Sequence, residues 1–301
     1  MQKPIPEKSD GMTEDVILQL PLEELHAFHD HPYKVLDDTG MVQMIESVGT
    51  HGVLVPIVVR PIIDGGYEII SGHRRKRACE LAGIDTIPAI VRDVDDDTAI
   101  IMMVDSNVQR EDILPSERGK AYRMKLEAMK HQGLRQDLIA AQSGTKLKDS
   151  LEILSDQVHE SKKQIQRYVR LTWLIPELTE LVDKKKIGLT PAVELSFLTP
   201  DEQRGFVIAM KTAEAAPTLS QTQRIKKLSR EGGVTTMQMT KLMMEPKIPH
   251  QDKVTLSSTK LKKYFPTGTS QEEMTATIEK LLTMWAAQRL KRQKEKQAEI
   301  E

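Results

Sequence analysis

Hydrophobic positions change rhythm along the chain. Between residues 42 and 92, short runs dense in Val and Ile alternate with helical stretches. MVQMIESVGTHG predicts a helix stopped by Gly52, and VLVPIVVRPI predicts a strand. Asp64-Gly65-Gly66 is a hairpin turn signal, with YEIIS as the return strand. GHRRKRACELAG opens with Gly72 and runs as a helix to Gly83, and TIPAIVRDV is a further strand. Asp95-Asp96-Asp97-Thr98 supplies a helix N-cap, with AIIMMVDSNVQ as the helix. LQLPL at 18–22 starts the ordered part; residues 1–17 are polar and predict disorder.

From about residue 113 the strand signals stop. Helical segments joined by short polar links continue to about 230, one started by Pro115-Ser116-Glu117 and later ones punctuated by Pro176, Pro191 and Pro200. LSREGGVTTMQ, at about 228–238, predicts a linker, and 252–257 a strand. A long helix with a charged end closes the chain, with Thr275, Ile278, Leu282 and Trp285 at heptad spacing as a dimer seam. The division expected is a disordered start (1–17), a mixed α/β domain (18–112), a helical domain (113–230), a linker (231–251) and a C-terminal strand–helix segment (252–301). The fold class is α+β.

Composition changes this picture little, and charge redirects the search. The 301 residues carry 43 basic and 44 acidic side chains, a net charge of -1. Global charge therefore gives no support to nucleic-acid binding, and any cationic surface must be local. A single cysteine, Cys79, excludes an internal disulfide framework and a Cys-rich zinc site. No apolar signal core precedes the ordered part, and no run reaches the roughly 18 apolar residues a membrane helix needs. A cytoplasmic protein is the expectation.

Two places concentrate positive charge. Ser71-Gly72-His73-Arg74-Arg75 sits where a strand hands over to a helix. The first turn of a helix has free N–H groups and attracts anions, and two adjacent arginines add forked donors suited to phosphate. A plain glycine-led helix start with solvated basic residues would give the same pattern. The second place is ILSDQVHESKKQIQRYVRL at 153–171. ILSDQV reads as a short helix, His159 and Glu160 as a turn, and Ser161 as the cap of a second helix. Lys162, Lys163, Gln166, Arg167 and Arg170 share one face of that helix, and Ile165, Val169 and Tyr168 lie toward the other. A helix-turn-helix recognition helix needs this arrangement. Gln164 and Gln166 suit adenine edges, and Lys162, Lys163 and Arg167 suit guanine or phosphate.

A third segment joins these. Asp105-Ser106-Asn107-Val108-Gln109-Arg110-Glu111-Asp112 ends a helix and is followed by Leu114-Pro115-Ser116-Glu117. Together with the stretch Ser47–Gly52–Pro56 and the Gly72 turn, these boxes resemble the ParB family of partition proteins over about residues 18–210. The resemblance implies a small ParB/sulfiredoxin-like domain, an all-α helix-turn-helix domain and a C-terminal dimerisation segment. It implies CTP with magnesium, held by Ser47, Gly52, Gly72, Arg74 and Arg75, with Asn107 beside the metal. It also implies double-stranded DNA as partner, contacted through Ser161, Lys162, Lys163, Gln164, Gln166, Arg167 and Arg170. A homodimer and a ParA-type ATPase complete the implied assembly, nucleoid or plasmid associated.

The chain departs from the family pattern at His73 and Ser106, where the family has Glu, and carries about ten extra residues within 131–152. A lost carboxylate weakens magnesium binding unless Asp105 or Asp112 substitutes. These departures suggest a plasmid or mobile-element member, with nucleotide bound and hydrolysis slow. Sulfiredoxin carries Gly-Cys-His-Arg at the matching turn; here no cysteine intervenes, and Cys79 reads as a small buried residue. His26, His29 and His31 lie close in sequence but fit no standard metal spacing. Two alternatives stand beside the partition reading. One is a helix-turn-helix regulator without nucleotide switching. The other is a nucleotide-dependent phosphotransferase or nuclease, for which His73 or Asp105 is the obvious acid or base.

Overall fold

The computed structural model describes residues 16–63, 65–108, 110, 112–140, 149–245, 261, 263–266 and 268–298. The chain divides into two units, Met1–Glu245 and Pro246–Glu301. The first unit opens with β1 (Ile17–Pro21), a 3-10 turn (Leu22–Glu24) and β2 (Leu25–His26). α1 (Thr39–His51), β3 (Ile57–Pro61), β4 (Tyr67–Ser71), α2 (His73–Ala82), β5 (Thr86–Val91) and α3 (Asp96–Asp105) follow. The five strands form one mixed sheet in the order β1-β5-β3-β4-β2.

Alternation along the strands explains why the sheet is covered on both faces. Ile57, Val59 and Ile69 point to one side and pack with Met41 and Val48 of α1 and Ala78 and Cys79 of α2. Val58 and Ile70 point to the other side, toward Ala99, Met103 and Val104 of α3 and Ala121 of the next helix. Cys79 is thus a buried core residue.

The helical part of this unit begins with α4 (Pro115–Ala140), α5 (Ser150–Val158) and α6 (Lys162–Arg170). After a 3-10 turn at Leu171–Trp173 come α7 (Pro176–Asp183), α8 (Leu189–Leu195), α9 (Pro200–Ala213), α10 (Leu219–Gly232) and α11 (Thr236–Met244). Prolines open α4, α7 and α9, where the missing N–H costs nothing.

The expected linker is corrected here. Residues 228–238, which overlap the span assigned as linker at 231–251, complete α10 and open α11, and Met239, Leu242 and Met243 of α11 are buried in the helical core. The Gly232-Gly233 pair, both at positive φ, is a corner between two packed helices. A capping box at Thr235 and Gln238 is the sequence signal that marks α11. The two-residue β2 had no counterpart in the periodicity, because so short a strand carries none. The disorder expected for 1–17 is corrected at Ile17, which opens β1; residues 1–15, the strand at 252–257 and residues 141–148 of the segment with the extra residues fall outside the described residues. In the second unit α12 (Gln271–Ala298) exposes Leu281, Leu282, Met284 and Trp285. No helix among the described residues is long and apolar enough to cross a membrane.

Candidate functional site

β4 passes the chain to α2 through Gly72, whose φ of 113° belongs to the left-handed region. A Cβ at this position would lie 2.4 Å from Cγ2 of Ile57. The close approach that the glycine permits is therefore to β3. The first turn of α2 has no side-chain cap and no acidic residue. Orphan N–H groups beside His73, Arg74, Arg75, Lys76 and Arg77 leave a positive local potential that an anion would relieve.

The two arginines are already engaged. Arg74 forks onto Asp38, at 2.8 Å to Oδ1 and 3.3 Å to Oδ2. Asp38 also caps α1 by accepting from the Met41 N–H, and the Arg74 guanidinium holds its carboxyl down to about 2. Arg77 reaches Asp37 at 2.9 Å, so α1 and α2 are clipped together by two Arg–Asp pairs. Arg75 turns inward and donates to the carbonyls of Val55 and Pro56, both at 2.6 Å. Burial pushes its guanidinium below the usual arginine value. Ser47 is exposed on α1, and Gly52 ends that helix at φ 70° with open space where a Cβ would be. Ser47, Gly52, Gly72, Arg74 and Arg75 thus lie on adjoining elements around the α1–α2 contact.

His73 is not a free base. Its Nε2 accepts the Phe28 N–H at 3.3 Å, so the ring proton sits on Nδ1. Its ring lies against that of His31, with centroids 3.9 Å apart and the planes tilted by 41°. Burial, then the neighbouring His31 and Lys76, lower its pKa to about 3. His31 donates from Nδ1 to the Tyr33 carbonyl at 2.7 Å, and its buried Nε2 has no hydrogen-bond partner among the described residues. Burial lowers the pKa of His31 too, and the charges of Lys120 and Arg110 act in the same direction. The loop between Phe28 and Lys34 thus packs on the α2 turn through Phe28 and His31, and its Lys34 N–H donates to Glu117 of α4 at 2.8 Å. The three histidines of 26–31 do not converge: His26 is on β2, His29 pairs with exposed Asp30, and His31 is half-buried against His73.

The polar groups of the Asn107 turn are engaged within the chain. Asn107 Nδ2 donates to the Met103 carbonyl and to Ser106 Oγ, and its Oδ1 accepts from Arg110 at 3.3 Å. Asp105, one of the two carboxylates expected to replace the missing Glu, is bound by the ammonium of Lys125. Arg110 holds Asn107 Oδ1 and Lys125 holds one oxygen of Asp105, so magnesium would reach Asn107 only by displacing Arg110. Among the described residues no cluster of three or more His, Cys, Asp or Glu is gathered as a metal ion needs. A triphosphate fits better, through the uncapped, acid-free start of α2.

The helix-turn-helix is built from α5, a turn and α6. His159 takes the left-handed conformation at φ 54°, Ser155 Oγ donates to the Glu160 carbonyl at 2.6 Å, and Ser161 Oγ accepts the Gln164 N–H at 3.2 Å. Leu154 of α5 and Ile165 of α6 are buried together with Tyr122 of α4. Gly119 lets α4 approach α6: a Cβ there would meet the Tyr168 carbonyl oxygen at 2.4 Å. Arg118 fastens the turn by donating to Glu160 at 2.9 Å.

This packing leaves Lys162, Lys163, Gln166 and Arg167 exposed on the outer face of α6, with Gln164 half-buried beside them. Lys162 pairs with Glu152 at 3.4 Å, and Arg167 reaches only Gln164 at 3.5 Å. No ion pair is formed by Lys163 or Arg167 among the described residues. Arg170 is the exception to the expected row. It donates to Ser196 Oγ and to the Ser196 carbonyl, both at 2.9 Å, and lies 4.0 Å over the Phe197 ring and 4.8 Å from that of Trp173. The last turn of α6 already leans on α8, so Arg170 joins the two helices instead of facing outward.

A mixed sheet with an anion-favouring turn, followed by a helix-turn-helix, defines a class of two-part DNA-binding proteins with a ligand domain in front. Residues 6–108 match the model of the ParB N-terminal domain. The chain belongs to the ParB family. It is 47% identical over 102 residues to the probable chromosome-partitioning protein ParB of Pseudomonas putida, covering 34% of this chain and 35% of that one. It is 30% identical over 207 residues to the nucleoid occlusion protein of Listeria monocytogenes, covering 69% and 66%. The chain thus spans about a third of one relative's length and about two thirds of the other's. A crystal structure of C-terminally truncated ParB from Caulobacter crescentus complexed to the centromeric parS site is 21% identical, with a TM-score of 0.42 and coverage of 70% of this chain and 98% of that one.

Proposed function

We propose that this chain is a DNA-partition protein that binds a specific double-stranded site as a dimer, with CTP at the α2 turn controlling how it loads and spreads. The observation that carries the DNA half is the outer face of α6, where Lys163, Gln166 and Arg167 are held in solvent by the buried Leu154–Ile165–Tyr122 packing beneath them. Exposed cations and amides on a rigid helix suit phosphates and base edges in the major groove. The nucleotide half rests on family membership and on the acid-free, uncapped start of α2. Dimerisation through the Leu282–Trp285 face of α12 and a ParA-type ATPase partner belong to the same reading. Magnesium has no assigned protein ligand in it.

The enzyme alternative loses its two candidate groups. His73 Nε2 is used by the Phe28 N–H and Asp105 by Lys125. A regulator without switching stays distinguishable by experiment. DNA recovered with the protein from cells and sequenced should give a peak with broad shoulders, and labelled CTP should bind the full chain. A narrow peak together with no CTP binding would replace the switch with a plain regulator. The name of the Listeria relative adds one refinement: many dispersed sites would favour nucleoid occlusion over a single partition locus.

A further inference from the structure

A buried cation lies outside both sites. Lys125, on α4, has 1% of its side chain exposed. Its ammonium donates to Asp105 Oδ1 and, over 2.6 Å, to Gln157 Oε1. An ammonium withdrawn from water must keep its acceptors. A methionine of similar length would fill the same space without that demand, so packing alone does not call for a lysine.

The two acceptors come from opposite sides of the molecule's functional division. Asp105 is the last residue of α3, immediately before the turn that holds Asn107 and Arg110. Gln157 is in the last turn of α5, the first helix of the helix-turn-helix. Both acceptors can regain water by moving, since the Asp105 side chain is already 43% exposed and Gln157 is exposed; the ammonium cannot. If either acceptor shifts, Lys125 must follow it or be stranded. α4 also packs directly against α3, α5 and α6. A displacement at the end of α3 therefore reaches the DNA-binding helices through one ion pair and one hydrogen bond.

We propose that Lys125 is the coupling residue between the Asn107 turn and the helix-turn-helix: a ligand that draws on the turn moves Asp105, and the ammonium carries that movement to Gln157 and α5. This rests on the nucleotide-switch reading above and names its internal linkage. Coupling between two binding sites is reciprocal, so site DNA changes CTP affinity by the factor by which CTP changes DNA affinity.

The test uses the full chain, labelled site DNA and labelled CTP, each titrated with and without the other. Wild type should show a coupling factor of about fivefold or more. Lys125→Met and Gln157→Leu should each bind CTP alone and DNA alone within about threefold of wild type while the factor falls toward one. A purely structural lysine would instead weaken both bindings and leave the factor in place. If Lys125→Met does not fold, Gln157→Leu, at an exposed position, decides the matter. A wild-type factor retained in the variants overturns the linkage and leaves nucleotide switching intact. A wild-type chain that binds no CTP, or shows no coupling, overturns the switch reading and the linkage with it.

Discussion

The α2 turn and the α6 face are both basic helix segments, and the protein treats their charge in opposite ways. At α2 the cations are answered within the chain: Arg74 by Asp38, Arg77 by Asp37, Arg75 by two carbonyls. At α6 Lys163 and Arg167 are left to solvent, while Lys162 pairs with Glu152 of α5 and Arg170 is taken up by Ser196 at the end of α8. Charge that is satisfied internally fixes the position of a backbone turn, and its N–H groups remain available for an anion. Charge that is left unpaired is available for another molecule. A ligand at α2 would meet a preformed cradle of backbone donors, while DNA at α6 would meet long side chains that order on contact.

The contrast can be broken most severely at Gly72. Gly72→Ala places a Cβ against Ile57 at a left-handed φ, and destabilisation of about 2–5 kcal/mol is expected from backbone strain and overpacking together. Urea unfolding of the full chain measures it. An unchanged midpoint would mean that the turn is far softer than its geometry implies.

A crossed pair of variants on α6 sharpens the comparison next. Arg167→Ala should weaken site-specific DNA binding by about 1–3 kcal/mol with no loss of melting temperature. Arg170→Ala should do the reverse, since its removal strips two charge-assisted hydrogen bonds and ring contacts at a cost of about 1–3 kcal/mol in stability. Mobility-shift titration and thermal melting of both variants check the pair. Equal effects of the two on DNA affinity would erase the distinction drawn between them.

The smallest effect at ordinary pH concerns the paired imidazoles of His31 and His73. His73 has a folded pKa of about 3 against an ordinary 6.5, mainly through burial, so protons bind the unfolded chain more tightly. The contribution is complete above pH 6.5 and is lost progressively as pH falls from there toward 3. His31 shifts in the same direction. Unfolding midpoints measured down this range should decline, and His73→Gln should flatten the decline. A slope identical in the variant would assign the acid sensitivity elsewhere.

Much of the fold was legible because its signals are local. The alternation of Val and Ile predicts β3, β4 and β5; Asp95 and Ser161 cap α3 and α6 as expected; and the polar-apolar split of α6 is visible over nine residues. The misreading of 228–238 came from giving Gly232-Gly233 more weight than the capping box at Thr235. The Lys125 linkage had no local signal at all, because a lysine on an amphipathic helix reads as surface.

By itself the sequence determined which segments are helix or strand, which helix ends attract anions, and where basic residues cluster. The tertiary structure alone decided which of those cations are available to another molecule. The reason is distance along the chain. Periodicity and caps involve residues within a few positions of each other, whereas Arg74 meets an aspartate 36 residues away and Arg170 a serine 26 residues away. Partners so remote leave no periodic trace, and only folding brings them within hydrogen-bond reach.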